Sequence, residues 1–207
     1  MNFIKLDLCR RLYSSFNTFI LLTWVVLISA CAVSPNHQES SSGKLLIEVD
    51  NNTAYLSGIL GDDLVKDLST LVRDHPNISE LVLVNIPGAE NEQAVIDGAR
   101  LIRRLGLSTR IAATGYVLSG GVDLFLGGVE RRIGAGAGVG IHAWTDGTHI
   151  QAANIADTDP VHGAYVNFYL EMGVSERFYW FSLAAAPAER VYFLSPEEVY
   201  DFELVTH

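Results

Sequence analysis

The chain has 207 residues, of which 49% are hydrophobic and 18% are charged, and its formal net charge at pH 7 is −10. This negative charge would repel a phosphate backbone, which argues against a nucleic-acid-binding protein. The six histidines are scattered without the spacing of a zinc site, so the sequence predicts neither a metal centre nor another cofactor.

The N-terminal residues 1–30 have the pattern of a bacterial lipoprotein signal peptide. A basic start precedes an apolar run, 19–28, that is too short to favour a full membrane span. Small residues then lead to Cys31, as in a lipobox, whose cysteine is lipid-modified and becomes the new N-terminus. We therefore expect a lipid anchor in the bacterial cell envelope that faces the periplasm. Ala32, which follows the cysteine in place of aspartate, favours the outer membrane in a Gram-negative cell.

The alternatives to this leader are an ordinary cleaved signal or an uncleaved anchor in which Cys31 is incidental. Residues 31–43 are polar and rich in serine, which predicts a flexible tether, and residues 44–207 form the predicted domain. Cleavage at Cys31 would remove Cys9, which is the other cysteine of the chain. The domain would then depend on core packing for its stability, since it could form no internal disulfide.

Hydrophobic periodicity divides the first part of the domain into alternating strands and helices. Helices that alternate with apolar strands predict an α/β fold with a mostly parallel sheet and right-handed crossovers. The predicted elements are strands 45–49 and 53–59, helix 61–73, strand 81–85, helix 91–105 and strand 110–117.

A candidate nucleophile, Ser119, stands between strand 110–117 and a predicted helix, 120–128, that begins with two glycines. Glycines allow a substrate to approach closely, and free amides at a helix start favour a developing negative charge. Serine needs a base to become nucleophilic, and His142, in a second predicted strand at 141–144, would serve near neutral pH. The alternatives stay open that the serine is a simple helix N-cap and that the histidine is only packed in the core.

The remainder of the chain is predicted to surround this site. The polar segment 145–160 would be a gating loop or a disordered one. Two helices, 161–172 and 175–186, carry a set of aromatic residues that predicts core or a subunit interface, with an apolar substrate groove as the alternative.

In their order along the chain, these motifs resemble the Clp-protease and crotonase-like superfamily, and most of all its periplasmic, Clp-like serine protease branch in bacteria. The resemblance covers residues 44–207 and depends on short motifs at 87–89, 119–121, 140–142 and 193–205. It implies a Clp/crotonase-like fold, which is a mostly parallel sheet of repeated strand-helix units with C-terminal helices. The last motif resembles the closing helix and strand of that fold, with the strand at 204–205.

The same resemblance implies roles for individual residues. Ser119 corresponds to the nucleophile and His142 to its base, while the amides of Gly88 or Ala89, together with Gly120, correspond to an oxyanion hole. It further implies a peptide or protein substrate and assembly into a homo-oligomer.

Two departures from the family pattern bear on activity. The aspartate that orients the histidine would fall near Val191, which cannot do so, and Ala89 replaces the second glycine of the oxyanion loop. The sequence offers no means to choose among the carboxylates that would replace this acid as a third member: Asp146, Asp157, Asp159 and Glu189.

Three hypotheses follow. The first is an ATP-independent serine hydrolase, a peptidase with a Ser-His dyad or incomplete triad, anchored in the envelope. The second is a catalytically inactive Clp-like fold that serves as an envelope binding or scaffold module, which Val191 and Ala89 favour. The third is crotonase-like acyl-CoA chemistry, which an address in the envelope disfavours.

Overall fold

The computed structural model describes residues 44–145 and 150–206. The predicted signal peptide, the tether with Cys31, and Asp146 lie outside these described residues. Within them, every helix is too short or too polar to cross a lipid bilayer.

Strands and helices alternate through most of this part of the chain. The strands are β1 (Leu46–Asp50), β2 (Thr53–Ser57), β3 (Glu80–Ile86), β4 (Ser108–Leu118), β5 (Arg131–Ile133), β6 (Gly138–Ile141) and β7 (Tyr192–Phe193). The helices are α1 (Leu64–Asp74), α2 (Glu92–Arg104), α3 (Gly120–Leu126), α4 (Pro160–Glu171), α5 (Glu176–Ala185) and α6 (Pro196–Asp201), with a 3-10 turn at Ala152–Asn154.

The strands form one sheet in the order β1-β2-β3-β4-β6-β7, and β5 pairs with the first part of β4. The pairs from β2 to β6 are parallel, whereas β1 and β7 are antiparallel to their neighbours at the two edges. Each of the first three parallel crossovers contains a helix, as a parallel connection requires. The prediction of an α/β fold with a mostly parallel sheet is therefore confirmed.

Apolar faces of the first three helices pack against the sheet and bury the core. Leu64 and Leu68 of α1 lie one turn apart and are both buried, as are Val95 and Ile102 of α2 and Phe125 of α3. This spacing keeps the apolar residues of each helix on one side. The packing brings α2 and α3 together beside the end of β4, where Ser119 lies.

Two predicted strands differ from the structure. The strand expected at 141–144 instead occupies Gly138–Ile141 and ends before His142. It runs through glycines because side chains have no room there: a Cβ on Gly140 would lie 2.5 Å from Cγ1 of Val191. The closing strand expected at 204–205 does not form a strand, and the carbonyl of Leu204 instead accepts a hydrogen bond of 2.8 Å from Arg131.

Arg131 fastens the C-terminal part of the chain to the sheet. Its guanidinium is buried and donates to the carbonyls of Leu204 and Met172, both at 2.8 Å, and of Glu203 at 3.0 Å. Burial, together with the nearby Arg103, lowers the pKa of Arg131 to about 10. Because Met172 caps α4, these bonds fix the end of α4 beside β5.

Candidate active site

Ser119 occupies a sharp turn between β4 and α3. Its backbone angles are φ 53° and ψ −130°, a left-handed conformation that L residues rarely adopt. Its amide donates a hydrogen bond of 2.9 Å to the carbonyl of Gly140, which holds the turn against β6. Backbone strain of this kind costs about 1–3 kcal/mol and is often found at functional sites. A strand-to-helix turn also exposes a serine hydroxyl at the end of a sheet.

Ser119 and His142 line the same small, partly open cavity, whose free volume is about 30 Å³. The cavity lies between α2, α3, the end of β6 and the two aromatic helices. No hydrogen bond joins the two side chains, both of which belong to the described part of the chain. The other lining residues are Glu92, Val122, Asp123, Ile141, Trp144, Tyr165, Tyr169, Phe178, Tyr179 and Ser182.

The backbone fixes the tautomer of His142. Its Nδ1 atom lies 2.8 Å from the carbonyl oxygen of Ala143, and a carbonyl can only accept, so Nδ1 carries the proton. Ala143 is itself held, since its amide donates to the carbonyl of Ala186 at 2.8 Å. The neutral imidazole therefore has its lone pair on Nε2, as a general base requires.

The three oxyanion-hole candidates lie around Ser119. A Cβ on Gly88 would be 3.9 Å from the Cβ of Ser119, and one on Gly120 would be 2.8 Å from the Cβ of Ala89. The loop is held because the carbonyl of Gly88 accepts from the amide of Leu60 at 3.1 Å. Among the described residues, no acceptor takes the amide hydrogen of Gly88 or Ala89, which leaves both free for a substrate oxygen.

Two carboxylates, Asp123 and Glu92, line the cavity. Asp123 is one turn beyond Ser119 on α3, and its Oδ1 accepts a hydrogen bond of 2.7 Å from the hydroxyl of Tyr169. Burial and the charge of Glu92 raise the pKa of Asp123 to about 7, against the opposing effects of Tyr169 and His142. Burial also raises the pKa of Glu92. Burial therefore favours the protonated form of both carboxyl groups.

Aromatic side chains form a further part of the cavity wall. The rings of Tyr165 and Tyr179 are stacked, with centroids 5.5 Å apart. The indole of Trp144 donates to the Tyr179 hydroxyl at 3.3 Å, and this hydroxyl lies 2.6 Å from Nδ1 of His162. Burial raises the pKa of Tyr179 to about 12, so it stays protonated. Part of the aromatic set predicted as core or interface thus lines the cavity.

The structure places the sequence-predicted acids outside the cavity, except for Asp146, which it does not describe. Asp157 is exposed, and Asp159 caps α4 by accepting from the amide of Val161 at 2.9 Å. Glu189 accepts from the side chain of Gln151 at 3.1 Å.

Sequence reasoning missed Asp123 and Glu92. For Asp123 there was a signal, because it is the single charged residue in the otherwise apolar helix α3. The sequence gave no such signal for Glu92, because an acidic residue in the first turn of a helix is common.

No known protein family and no curated protein sequence matches this chain. Among solved structures, ClpP1 from Listeria monocytogenes has a TM-score of 0.53 and 21% sequence identity, over 75% of this chain and 89% of that chain. A mutant of the 1510-N membrane-bound stomatin-specific protease, in complex with a substrate peptide, has a TM-score of 0.47 and 12% identity, over 77% and 75% of the two chains. A methylmalonyl-CoA decarboxylase has a TM-score of 0.48 and 11% identity, over 81% and 67%. The likeness to ClpP1 shows that this chain has the mixed α/β fold of that protein, as the motifs predict.

Proposed function

We propose that this protein is an ATP-independent serine hydrolase that cleaves peptides and is held in the bacterial cell envelope by a lipid on Cys31. The observation that carries the proposal is the shared cavity of Ser119, on a strained turn, and His142, whose proton is fixed on Nδ1. A peptide is the proposed substrate because the order of the motifs resembles that of the Clp proteases. Independence from ATP follows from the proposed periplasmic location.

Acylation begins when a substrate carbonyl enters the cavity beside Ser119. Its oxygen accepts hydrogen bonds from the amide of Gly120 and from that of Gly88 or Ala89, which stabilise negative charge as it develops. Oγ of Ser119 attacks the carbonyl carbon while Nε2 of His142 takes the hydroxyl proton. Because no hydrogen bond joins the two side chains beforehand, a rotation of one of them precedes this step.

The tetrahedral intermediate then expels the amine, which takes the proton from His142, and an acyl ester remains on Ser119. A water molecule reverses the sequence: His142 accepts a proton from the water, and the resulting hydroxide attacks the ester. The carboxylic acid leaves and the proton returns to Ser119. Each proton that His142 accepts is returned, so the cycle balances without a cofactor.

Digestion of a peptide library tests the proposed substrate class. The full-length chain in detergent is incubated with the library, and new termini are identified by mass spectrometry. We expect cleavage by the wild type and by Ser182→Ala, and none by Ser119→Ala or His142→Ala. Ser182 is a matched control because it lines the same cavity, but its hydroxyl already donates to the carbonyl of Tyr179 at 2.7 Å. Cleavage that persists in Ser119→Ala would contradict the proposal.

The proposed anchor has its own test. In a bacterial host fed an alkyne-labelled fatty acid, we expect the wild-type chain to become labelled and to sediment with membranes. Cys31→Ser should remain unlabelled and should leave the membrane fraction or accumulate as a precursor. Equal labelling of the two chains would contradict the lipidation of Cys31 without bearing on catalysis.

The second candidate function is a binding or scaffold module without catalysis. It is favoured by Val191, which is 40% exposed at the position of the expected acid, and by the lack of a hydrogen bond between the side chains of Ser119 and His142. In cells that lack the protein, Ser119→Ala would then restore the normal phenotype as fully as the wild type does. The hydrolase predicts that this well-folded variant fails to restore it.

A further inference from the structure

Asp123 faces the cavity from the same helix that begins after Ser119. Its neighbours on α3, Val122 and Leu124, are buried and apolar, so this carboxyl group is set among core residues. The Tyr169 hydroxyl donates to its Oδ1 at 2.7 Å. The carboxyl group therefore has a fixed position one helical turn from the nucleophile.

Proton transfer from Ser119 to His142 creates a positive charge inside this cavity. A positive charge away from bulk water is costly unless a negative charge lies near it. The carbonyl of Ala143 orients the imidazole, but a carbonyl carries no net charge. A negatively charged side chain near the imidazole would stabilise that positive charge.

Of the two carboxylates that line the cavity in the described part of the chain, Asp123 is the one held in place by a hydrogen bond from another lining residue, Tyr169. The charge of His142 acts to lower the pKa of Asp123, whereas burial alone accounts for the raised pKa of Glu92. Glu92 acts on Asp123 in turn, because its negative charge raises the pKa of that carboxyl.

We propose that Asp123 is the positioning acid of this site: its carboxylate, held by Tyr169, stabilises His142 as the imidazole accepts the proton of Ser119. The inference rests on the proposed hydrolase function and deepens it. It assigns the role of the missing acid to a residue one turn beyond the nucleophile, not to the position of Val191.

The arrangement also makes the site sensitive to pH. The titratable groups that face Asp123 are Glu92 from α2, His142 after β6, and Tyr165 and Tyr169 from α4. The pKa of Asp123 is raised to about 7, so its ionised fraction grows as pH rises through neutrality. The stabilisation of the protonated His142 imidazole grows with this ionised fraction. Replacement of Glu92 by glutamine removes a repulsive charge and should move this rise to lower pH.

The first experiment measures the rate of fluorophosphonate labelling of Ser119 against pH in the full-length chain in detergent. Asp123→Asn keeps an oxygen for Tyr169 but loses the charge, and it should lower the rate at pH 8 by about 10²-fold and flatten the profile around pH 7. Glu92→Gln should shift the rise to lower pH. Asp97→Asn is the matched control, since Asp97 lies on the exposed face of α2 and should label as the wild type does.

The second experiment does not depend on catalysis. The carboxyl carbon of Asp123 is titrated by ¹³C NMR in the wild type and in His142→Ala. The midpoint should rise in His142→Ala, because the variant lacks the charge that lowers the pKa of Asp123.

The outcomes separate the inference from the proposed function. If Ser119 of the wild type takes no label, the hydrolase proposal fails, and the positioning role of Asp123 fails with it whatever the NMR midpoint shows. If the wild type is labelled, and Asp123→Asn matches its rate and pH profile while the midpoint stays unchanged, the inference alone is overturned. A slow Asp123→Asn variant, a shifted Glu92→Gln profile and a raised midpoint together support it.

Discussion

The Nδ1 atom of His142 donates a hydrogen bond of 2.8 Å to the carbonyl oxygen of Ala143, the next residue in the chain. In serine hydrolases with a full triad, an acid selects this tautomer, and its replacement by a residue that imposes the wrong one costs on the order of 10⁴ in rate. Here a backbone carbonyl makes the selection. His142 can therefore act as a base although Val191 occupies the position of the expected acid. The negative charge that such an acid would add is what the structure assigns to Asp123.

The strained turn at Ser119 predicts a stability difference between two inactive variants. Alanine at φ 53° keeps the strain of a left-handed L residue, whereas glycine relieves it at some cost in chain entropy. We expect Ser119→Gly to have a free energy of unfolding about 1 kcal/mol higher than that of Ser119→Ala. Urea denaturation of both variants measures the difference. Equal stability, or a more stable Ser119→Ala, would show that the turn is not strained.

The oxyanion-hole arrangement predicts that Gly120→Ala impairs the site. The new methyl group would lie 2.8 Å from the Cβ of Ala89, so the two chain segments must separate. We expect the rate of fluorophosphonate labelling to fall by about 10²-fold, the size of effect seen when one oxyanion donor is lost. Gly163→Ala is the control, because nothing lies within 4 Å of its added methyl group. An unchanged labelling rate in Gly120→Ala would mean that the proposed oxyanion-hole amides take no part in the mechanism.

The buried carboxyl of Asp123 predicts a stability that depends on pH. Its folded-state pKa of about 7 is raised above the ordinary value of 3.8. The folded chain therefore binds more protons than the unfolded chain between these values, and stability falls as pH rises through this window. Asp123→Asn lacks this penalty, so at pH 8 it should be more stable than the wild type by at most about 4 kcal/mol.

Urea denaturation at pH 4 and pH 8 tests this prediction. The difference between Asp123→Asn and the wild type should nearly vanish at pH 4, where the carboxyl is protonated in the folded state. The exposed Asp97→Asn should show no such dependence. A variant that is less stable than the wild type at pH 8 would mean that Asp123 is charged and well stabilised in the folded protein.

The order of strands and helices could be predicted from the sequence because each element has its own periodicity and the connections are short. The turn at Ser119 followed from a strand that ends beside a glycine pair. The bounds of β6 could not be predicted in this way, because Gly138 and Gly140 give no hydrophobic pattern. These glycines are required by the close approach of neighbouring side chains.

The cavity could be predicted only in part, because its walls come from residues far apart in the chain. Ser119 and His142 were identified from motifs, but the meeting of Glu92, Asp123 and Tyr169 depends on how α2, α3 and α4 pack. The first-turn position of Glu92 and the single charge on α3 have ordinary explanations in isolated helices. Tertiary packing gives them a common environment that local patterns do not encode.

The central claim is that Ser119 is an activated nucleophile and that His142 is its base. The most direct measurement exposes the full-length chain in detergent to a fluorophosphonate and locates the adduct by mass spectrometry in the wild type, Ser119→Ala, His142→Ala and Ser182→Ala. We predict an adduct on Ser119 in the wild type and in Ser182→Ala, and none in the other two variants. A folded wild type without an adduct, or an adduct that survives in Ser119→Ala, would contradict the account.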